Sequence, residues 1–250
     1  MQKFVTEAIV LKNLNYGDSH KFYSLLTKDH GKISALAMGV RKISSRRAGN
    51  LDSLNHIVVS ITESSKGFKT VNEVKTLNSY KRSKESLDAI YYGLKFAESV
   101  EYSLDQDHDQ PEIFYLLLTA LDSLDQPGIP AKIIELWFLL GLSDALGFKI
   151  DLKNCAGCGL VFIPPYDKLS YSYESGGILC GSCSGYSLKM RAETFELLRS
   201  LRNNSLESIT SQNYSDNAVN EVSAILNTHA RNMFISRNVG EKTGMLIGNI

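Results

Sequence analysis

Phe4-Val5-Thr6-Glu7-Ala8-Ile9-Val10-Leu11-Lys12-Asn13-Leu14 is dense in aliphatic and β-branched residues, and the turn-forming Asn15-Tyr16-Gly17-Asp18-Ser19 closes it. A second apolar run, Phe22 to Thr27, follows, then the turn Asp29-His30-Gly31, then Ile33 to Met38. Short apolar runs separated by Gly, Asn and Asp are the signature of hairpin-linked strands. Asn55, Ile57, Val59 and Ile61 then alternate with His56, Val58, Ser60 and Thr62, the period of a strand with a buried face. A last strand near Lys69 to Leu77 completes five in about 80 residues. That content fits a small Greek-key barrel such as an OB-fold, which binds oligonucleotides across a strand face and its loops; an SH3-like barrel gives nearly the same pattern.

Between the third and fourth strands lies Gly39-Val40-Arg41-Lys42-Ile43-Ser44-Ser45-Arg46-Arg47-Ala48-Gly49-Asn50. Arg41, Lys42, Arg46 and Arg47 stand there with no acid between Lys32 and Asp52. Guanidinium forks match phosphate oxygens and counterion release drives their binding, so Lys32 and these four cations are the expected nucleic-acid phosphate contacts. Tyr16, Phe22 and Tyr23 are candidates to stack on bases, although alternation must bury some of them. The chain as a whole is neutral, with 27 basic and 27 acidic residues. Residues 1–85 nevertheless hold fifteen Lys/Arg against seven Asp/Glu, an asymmetry that points to a polyanion at the N-terminal part. A solvated basic face is the bland alternative.

From about Ser83 the period changes to that of amphipathic helices. Leu87, Ile90, Tyr91, Leu94, Ala97 and Glu101 or Leu104 form a first stripe. Asp109-Gln110-Pro111 starts a second helix, with Ile113, Phe114, Leu117, Leu118, Leu121 and Leu124 as its buried side. Pro130 to Leu146 is apolar nearly all round and is expected at the centre of a helical bundle. Two further helices are expected around Ala192 to Leu201 and Asn217 to Phe234, and Thr243 to Ile250 reads as an unanchored tail.

Within the helical part, Cys155-Ala156-Gly157-Cys158 is followed after twenty-one residues by Cys180-Gly181-Ser182-Cys183, and these are all the cysteines of the chain. Two Cys-x-x-Cys hooks at this separation bring four thiolates to the corners of a tetrahedron, which suits structural Zn²⁺. Four sulfurs leave no open position for an activated water. A rubredoxin-like iron site, two disulfides, or a redox Cys-x-x-Cys are the alternatives. The start of the sequence lacks an apolar signal core, which favours reduced, metal-binding thiols over disulfides. Phe162 to Tyr166 and Tyr171 to Tyr173 suit a short hairpin with little core of its own, the situation a structural metal remedies.

No phosphate-binding Gly-x-x-x-x-Gly-Lys-Ser/Thr loop, Gly-x-Ser-x-Gly elbow or His-Glu-x-x-His pair occurs, and the five histidines are scattered. A non-enzymatic role is expected. The organisation is α+β and multidomain: an OB-fold-like barrel over 1–80, then a helical domain over 81–250 with a zinc-ribbon-like insertion at 151–187.

Taken together, Tyr16-Gly17-Asp18-Ser19-His20-Lys21, Leu25-Leu26-Thr27-Lys28-Asp29-His30-Gly31-Lys32-Ile33 and Gly39-Val40-Arg41-Lys42 resemble the RecO family of bacterial recombination mediators, and the likeness covers the whole chain. The resemblance implies a cytoplasmic, nucleoid-associated protein that binds single- and double-stranded DNA and anneals complementary strands. It further implies association with RecR and with the acidic tail of single-strand-binding protein, so that RecA loads on gapped DNA. A non-catalytic protein-interaction scaffold, and an enzyme using the metal, are the competing readings.

Overall fold

The computed structural model describes residues 1–42, 45, 47–166, 168–185 and 187–238. The expected tail Thr243–Ile250, and Arg46 of the basic loop, lie outside the described residues. The chain divides into two compact units, 1–138 and 139–250.

The first unit opens with five strands, β1 (Gln2–Tyr16), β2 (His20–Thr27), β3 (Lys32–Ala37), β4 (His56–Glu63) and β5 (Lys69–Asn78). They close into a barrel in the order β1-β2-β3-β5-β4, with β4 returning to β1. All pairings are antiparallel except β3 with β5, which meet in parallel at Leu36 and Thr70. Full closure leaves no strand edge open, and this order with a parallel β3–β5 seam is that of an OB-fold. Alternation sorts the side chains: Ala8, Val10, Tyr23, Leu25, Ile33, Ala35, Ile57, Val59, Ile61 and Val71 fill the interior. β1 reaches both β2 and β4 because it is long and shifts register between Val10 and Lys12. Such a bulge bends a strand.

Four helices follow: α1 (Lys81–Glu85), α2 (Leu87–Ser103), α3 (Pro111–Asp125) and α4 (Ala131–Ala145), the last crossing the division between the units. Ser86 caps α2, accepting from the Ala89 amide. Pro111 opens α3 where its missing N–H costs nothing. The α3 stripe is largely as expected, with Ile113, Phe114, Leu117, Leu121 and Leu124 buried. The α2 stripe differs. Leu87, Tyr91 and Leu94 are exposed; Ala97 and Leu104 are buried as expected, but with Ala89, Gly93, Phe96 and Val100 beside them. The helix is apolar on two faces, and the face with the small residue wins because Gly93 lets it approach closely. A methyl at Gly93 would stand 2.8 Å from Leu54 Cδ1. Phe96 stacks on Phe138 with centroids 4.4 Å apart.

The second unit carries a three-stranded sheet ordered β7-β6-β8, from β6 (Leu169–Ser172), β7 (Gly177–Leu179) and β8 (Leu188–Met190). It ends with α5 (Ala192–Asn203), α6 (Leu206–Thr210) and α7 (Asp216–Asn238). Phe195, Leu197, Leu198, Leu201, Val222, Ile225, Leu226 and Met233 are buried. Tyr171 of β6 donates to His229 Nδ1 of α7 at 2.9 Å, and His229 Nε2 reaches the Phe148 carbonyl at 2.7 Å. With Nε2–H donating to that carbonyl, Nδ1 is left as an acceptor. No helix among the described residues is long and apolar enough to cross a membrane.

Candidate metal centre and nucleic-acid interface

The two cysteine hooks meet. One lies on the turn after α4 and the other directly follows β7, so the β6–β7 hairpin brings them together. The sulfurs of Cys155, Cys158, Cys180 and Cys183 all lie within 4.8 Å of one another, and Cys158 Sγ stands 3.7 Å from Cys180 Sγ. With metal–sulfur bonds of about 2.3 Å, tetrahedral sulfurs stand roughly 3.8 Å apart, so the cage has the size for one ion. The amides of Gly157 and Cys180 point at Cys155 Sγ from 3.4 and 3.3 Å. Burial alone would raise the Cys155 thiol, but amides of Cys180, Cys158 and Gly157 bring it down to about 6. Cys183 is pushed up to about 12 by the neighbouring sulfurs of Cys158 and Cys180. One sulfur is thus prepared as a thiolate by main-chain donors, and the crowding at another is what a cation would relieve. Gly157 sits tight against the cage, since a Cβ there would come 3.2 Å from Cys183 Cβ and Sγ and press on that cysteine by a few tenths of an ångström. Phe162 packs against the cluster from the first loop.

The described residues of the basic loop are bonded to the barrel at Arg41 and Arg47. Arg41 and Lys42 are exposed, and Arg41 is fixed to the β1–β2 hairpin: its amide donates to the Ser19 carbonyl and Nη1 to the Gly17 carbonyl, both at 3.0 Å. With Lys21, Asn13, Asn15, Ser45 and the acid Asp52 they line a concave mouth of about 480 Å³ beside Tyr23. Arg47 is half-buried and its guanidinium holds main-chain carbonyls of Val71 at 2.9 Å, Asn72 at 3.2 Å and Met38 at 2.6 Å. It therefore ties the loop to β3 and β5.

Lys32 departs from the expected set of DNA contacts. It is 6% exposed, and its ammonium donates to the Glu101 carbonyl at 2.5 Å, near the C-terminus of α2. There a cation meets the negative end of the helix dipole rather than solvent. Tyr23 likewise cannot stack on a base, because it faces the barrel interior, and burial followed by Asp52 raises its phenol. Tyr16 and Phe22 do lie on the outer surface, with ring centroids 4.9 Å apart, and Phe68 of the β4–β5 loop joins them 6.2 Å from Phe22. The sequence reading passed over Phe68; an aromatic between Lys66-Gly67 and Lys69 in a turn was the available signal. Three other cations are engaged internally: Lys95 and Lys132 flank buried Glu135 at 2.5 and 2.8 Å, and Arg202 holds Asp144.

Residues 1–80 match the model of the recombination protein O N-terminal domain, and residues 84–241 that of its C-terminal domain. The chain belongs to the RecO family. Among its relatives is the DNA repair protein RecO of Geobacter sulfurreducens, 32% identical over 192 residues that cover 77% of each chain. That of Dehalococcoides mccartyi strain BAV1 is 30% identical over 213 residues, 82% of this chain and 81% of its own. The two RecO models meet between residues 80 and 84, where β5 gives way to α1 at the left-handed Tyr80 (φ 49°). Tyr80 is fully buried, and its hydroxyl donates to Asp122 at 2.9 Å, so the RecO N-terminal barrel and the helices of the first unit are joined by side-chain bonds as well as by the chain.

Proposed function

We propose that this chain is a DNA-binding recombination mediator in recombinational repair. In this reading it binds single- and double-stranded DNA, anneals complementary strands and, with RecR, helps load RecA on DNA coated by single-strand-binding protein. It works by binding rather than catalysis, in the cytoplasm. The OB-fold domain of residues 1–80 is the main grip, and the helical domain of 81–250, with its insertion at 151–187, takes the partner proteins, including the tail of single-strand-binding protein.

The observation that carries this reading is the exposed pair Arg41 and Lys42, with Arg41 bonded to the turn between β1 and β2 of an OB-ordered barrel, within a segment rich in cations. OB-folds bind oligonucleotides with that strand face and the loops beside it. Arg41, Lys42 and Arg46 contact phosphates, while Arg47 keeps the loop against the barrel and Lys21 adds a further charge at the mouth. The four cysteines hold Zn²⁺, which when bound supplies a closed cross-link for a module with little core. The amides of Gly157 and Cys180 stabilise the thiolate that such an ion needs.

A second reading, a non-catalytic interaction scaffold, is favoured by the exposed Leu87, Tyr91 and Leu94 along α2. Anisotropy of a labelled oligonucleotide across a salt series separates the two. The DNA reading expects log affinity to fall with log salt, and Arg41→Ala/Lys42→Ala to weaken binding and make the slope shallower by roughly 0.7 per lost single-strand phosphate contact. Absence of DNA binding by the wild-type chain would leave the scaffold.

A further inference from the structure

We infer that Tyr16, Phe22 and Phe68 form a base-stacking platform on the outside of the barrel, which makes this chain select single-stranded over duplex DNA. The inference rests on the DNA-binding reading above and adds the residues that set strand preference.

The platform is a product of strand register. Leu14 of β1 pairs with Phe22 of β2, Phe22 with Leu36 of β3, and Leu36 with Thr70 of β5, so one row of side chains crosses four strands. Directly opposed residues share a face. The row lies outside: Leu14 is 66% exposed, and Phe22 and Leu36 are half-exposed. Tyr16, 54% exposed, meets Phe22 at an interplanar angle of 66°; Phe68, 56% exposed, meets it from the other side at 65°. Met38, also exposed, sits just beyond β3. A contiguous apolar patch of this kind on a small barrel marks a contact surface.

Its occupant follows from what borders it. Arg41 Nη1 donates to the carbonyl of Gly17, the residue after Tyr16, so one guanidinium stands at the Tyr16 end of the row, and exposed Lys42 follows it in the chain. Asp18 is the acid in the same turn, and Lys21, which alternates with Phe22 and bonds Asn13, turns to the mouth rather than to the rings. Rings with a guanidinium at one end and a cationic mouth at the barrel rim suit a strand whose bases lie on the aromatics while its phosphates turn to Arg41 and Lys42. In a duplex the base faces are already stacked on one another and cannot reach the rings. Arg41 and Lys42 engage either form, so the aromatics carry the difference.

The test uses the full chain with three labelled probes of equal length: a single strand, a duplex, and an abasic sugar-phosphate strand. The single strand is expected to bind more tightly than the other two. Phe68→Ala and Tyr16→Ala, both at exposed positions, should each lower its affinity roughly 5- to 150-fold per base unstacked. They should leave duplex binding, abasic binding and the salt slope unchanged, and Phe68→Tyr should retain wild-type affinity. Circular dichroism melts confirm that the variants fold. Equal losses on single strand and duplex, or an abasic strand bound as tightly as one with bases, would overturn the platform. Unchanged single-strand binding in both alanine variants would do so too, leaving the patch to a protein partner while the DNA-binding reading stands. A wild-type chain that binds no probe removes both.

Discussion

Lys32 of the barrel and Glu101 of α2 are joined inside the first unit, the lysine ammonium donating to the glutamate main-chain carbonyl at 2.5 Å. Around this bond the contact continues: Ser24 Oγ donates to Glu101 Oε2 at 2.5 Å, and the Asp107 amide donates to the Lys32 carbonyl at 2.9 Å. A buried charge-assisted bond contributes about 1.5–3 kcal/mol, and more is lost if its partner is left bare. Lys32→Ala is therefore expected to lower unfolding stability by about 2–3 kcal/mol in urea titration while leaving the salt slope of DNA binding intact. A variant of unchanged stability with a shallower slope would place Lys32 among the phosphate contacts after all.

Arg47 should behave unlike Arg41, although the two stand in one loop. Its three carbonyl acceptors lie on Met38, Val71 and Asn72, and a lysine cannot reproduce a planar fork. Arg47→Lys and Arg47→Ala are both expected to speed amide exchange in 38–50 and to lower stability by about 1–2 kcal/mol. Arg41→Ala should leave exchange and stability nearly unchanged. Equal protection in all three proteins would count against the clamp.

Removal of the metal, or Cys155→Ser, should unfold the hairpin module, because a four-thiolate site supplies much of the folding free energy of such a segment. Thiol titration is expected to find four protected cysteines before chelation and four reactive ones after it. Amide exchange should rise across 151–187 and stay unchanged in the barrel. Wild-type melting behaviour in Cys155→Ser and Cys183→Ser would refute a structural role for the ion.

Alkaline pH probes the joint at Tyr80. Burial first, then the charge of Asp122, raises this phenol well above the ordinary value near 10. The folded state thus holds the proton more tightly than the unfolded chain. The resulting stability is fully present below about pH 10 and is lost as pH climbs toward the raised folded value. Denaturant midpoints measured from pH 8 to 11 should fall, and Tyr80→Phe should be less stable at pH 8 but fall less steeply. A parallel fall in both proteins would remove Tyr80 as the cause.

Gly93 sets how closely α2 packs in the first unit. Its Cβ would meet Leu54 Cδ1 at 2.8 Å and Leu121 Cδ2 at 3.5 Å, and Leu54 is itself buried with a positive φ of 67°. Overpacking of about 1–3 kcal/mol then exceeds the helix-propensity gain of up to about 1 kcal/mol for Gly93→Ala. Gly93→Val should cost more than Gly93→Ala in thermal melts. A more stable Gly93→Ala would mean that Leu54 turns aside freely.

Local chemistry carried much of the architecture. Apolar runs broken by Asn15 to Ser19 and Asp29 to Gly31, and the alternation from Asn55 to Thr62, define strands whatever lies around them, because turn residues, runs and alternation are properties of neighbours in sequence. The same holds for the two hooks, where a two-residue spacing and flanking glycines suffice to present paired thiolates, and for α3, which has a single apolar face. Only the tertiary structure decided the rest. Periodicity located α2 but could not choose between the Leu87–Tyr91–Leu94 face and the Gly93–Phe96–Val100 face, since that choice depends on what Leu54 and Phe138 present to it. A lysine in sequence reads as solvated, and Lys32 is buried because the C-terminal end of a helix sixty-nine residues away offers it a carbonyl. Phe68 reads as a loop residue and becomes part of an aromatic row because barrel closure sets β3 parallel to β5 beside Phe22. The sequence by itself determined the five barrel strands, the longer helices and the thiolate hooks; closure and packing determined the short elements α1, α6 and β8 and which charges and rings face outward, because those depend on partners distant along the chain.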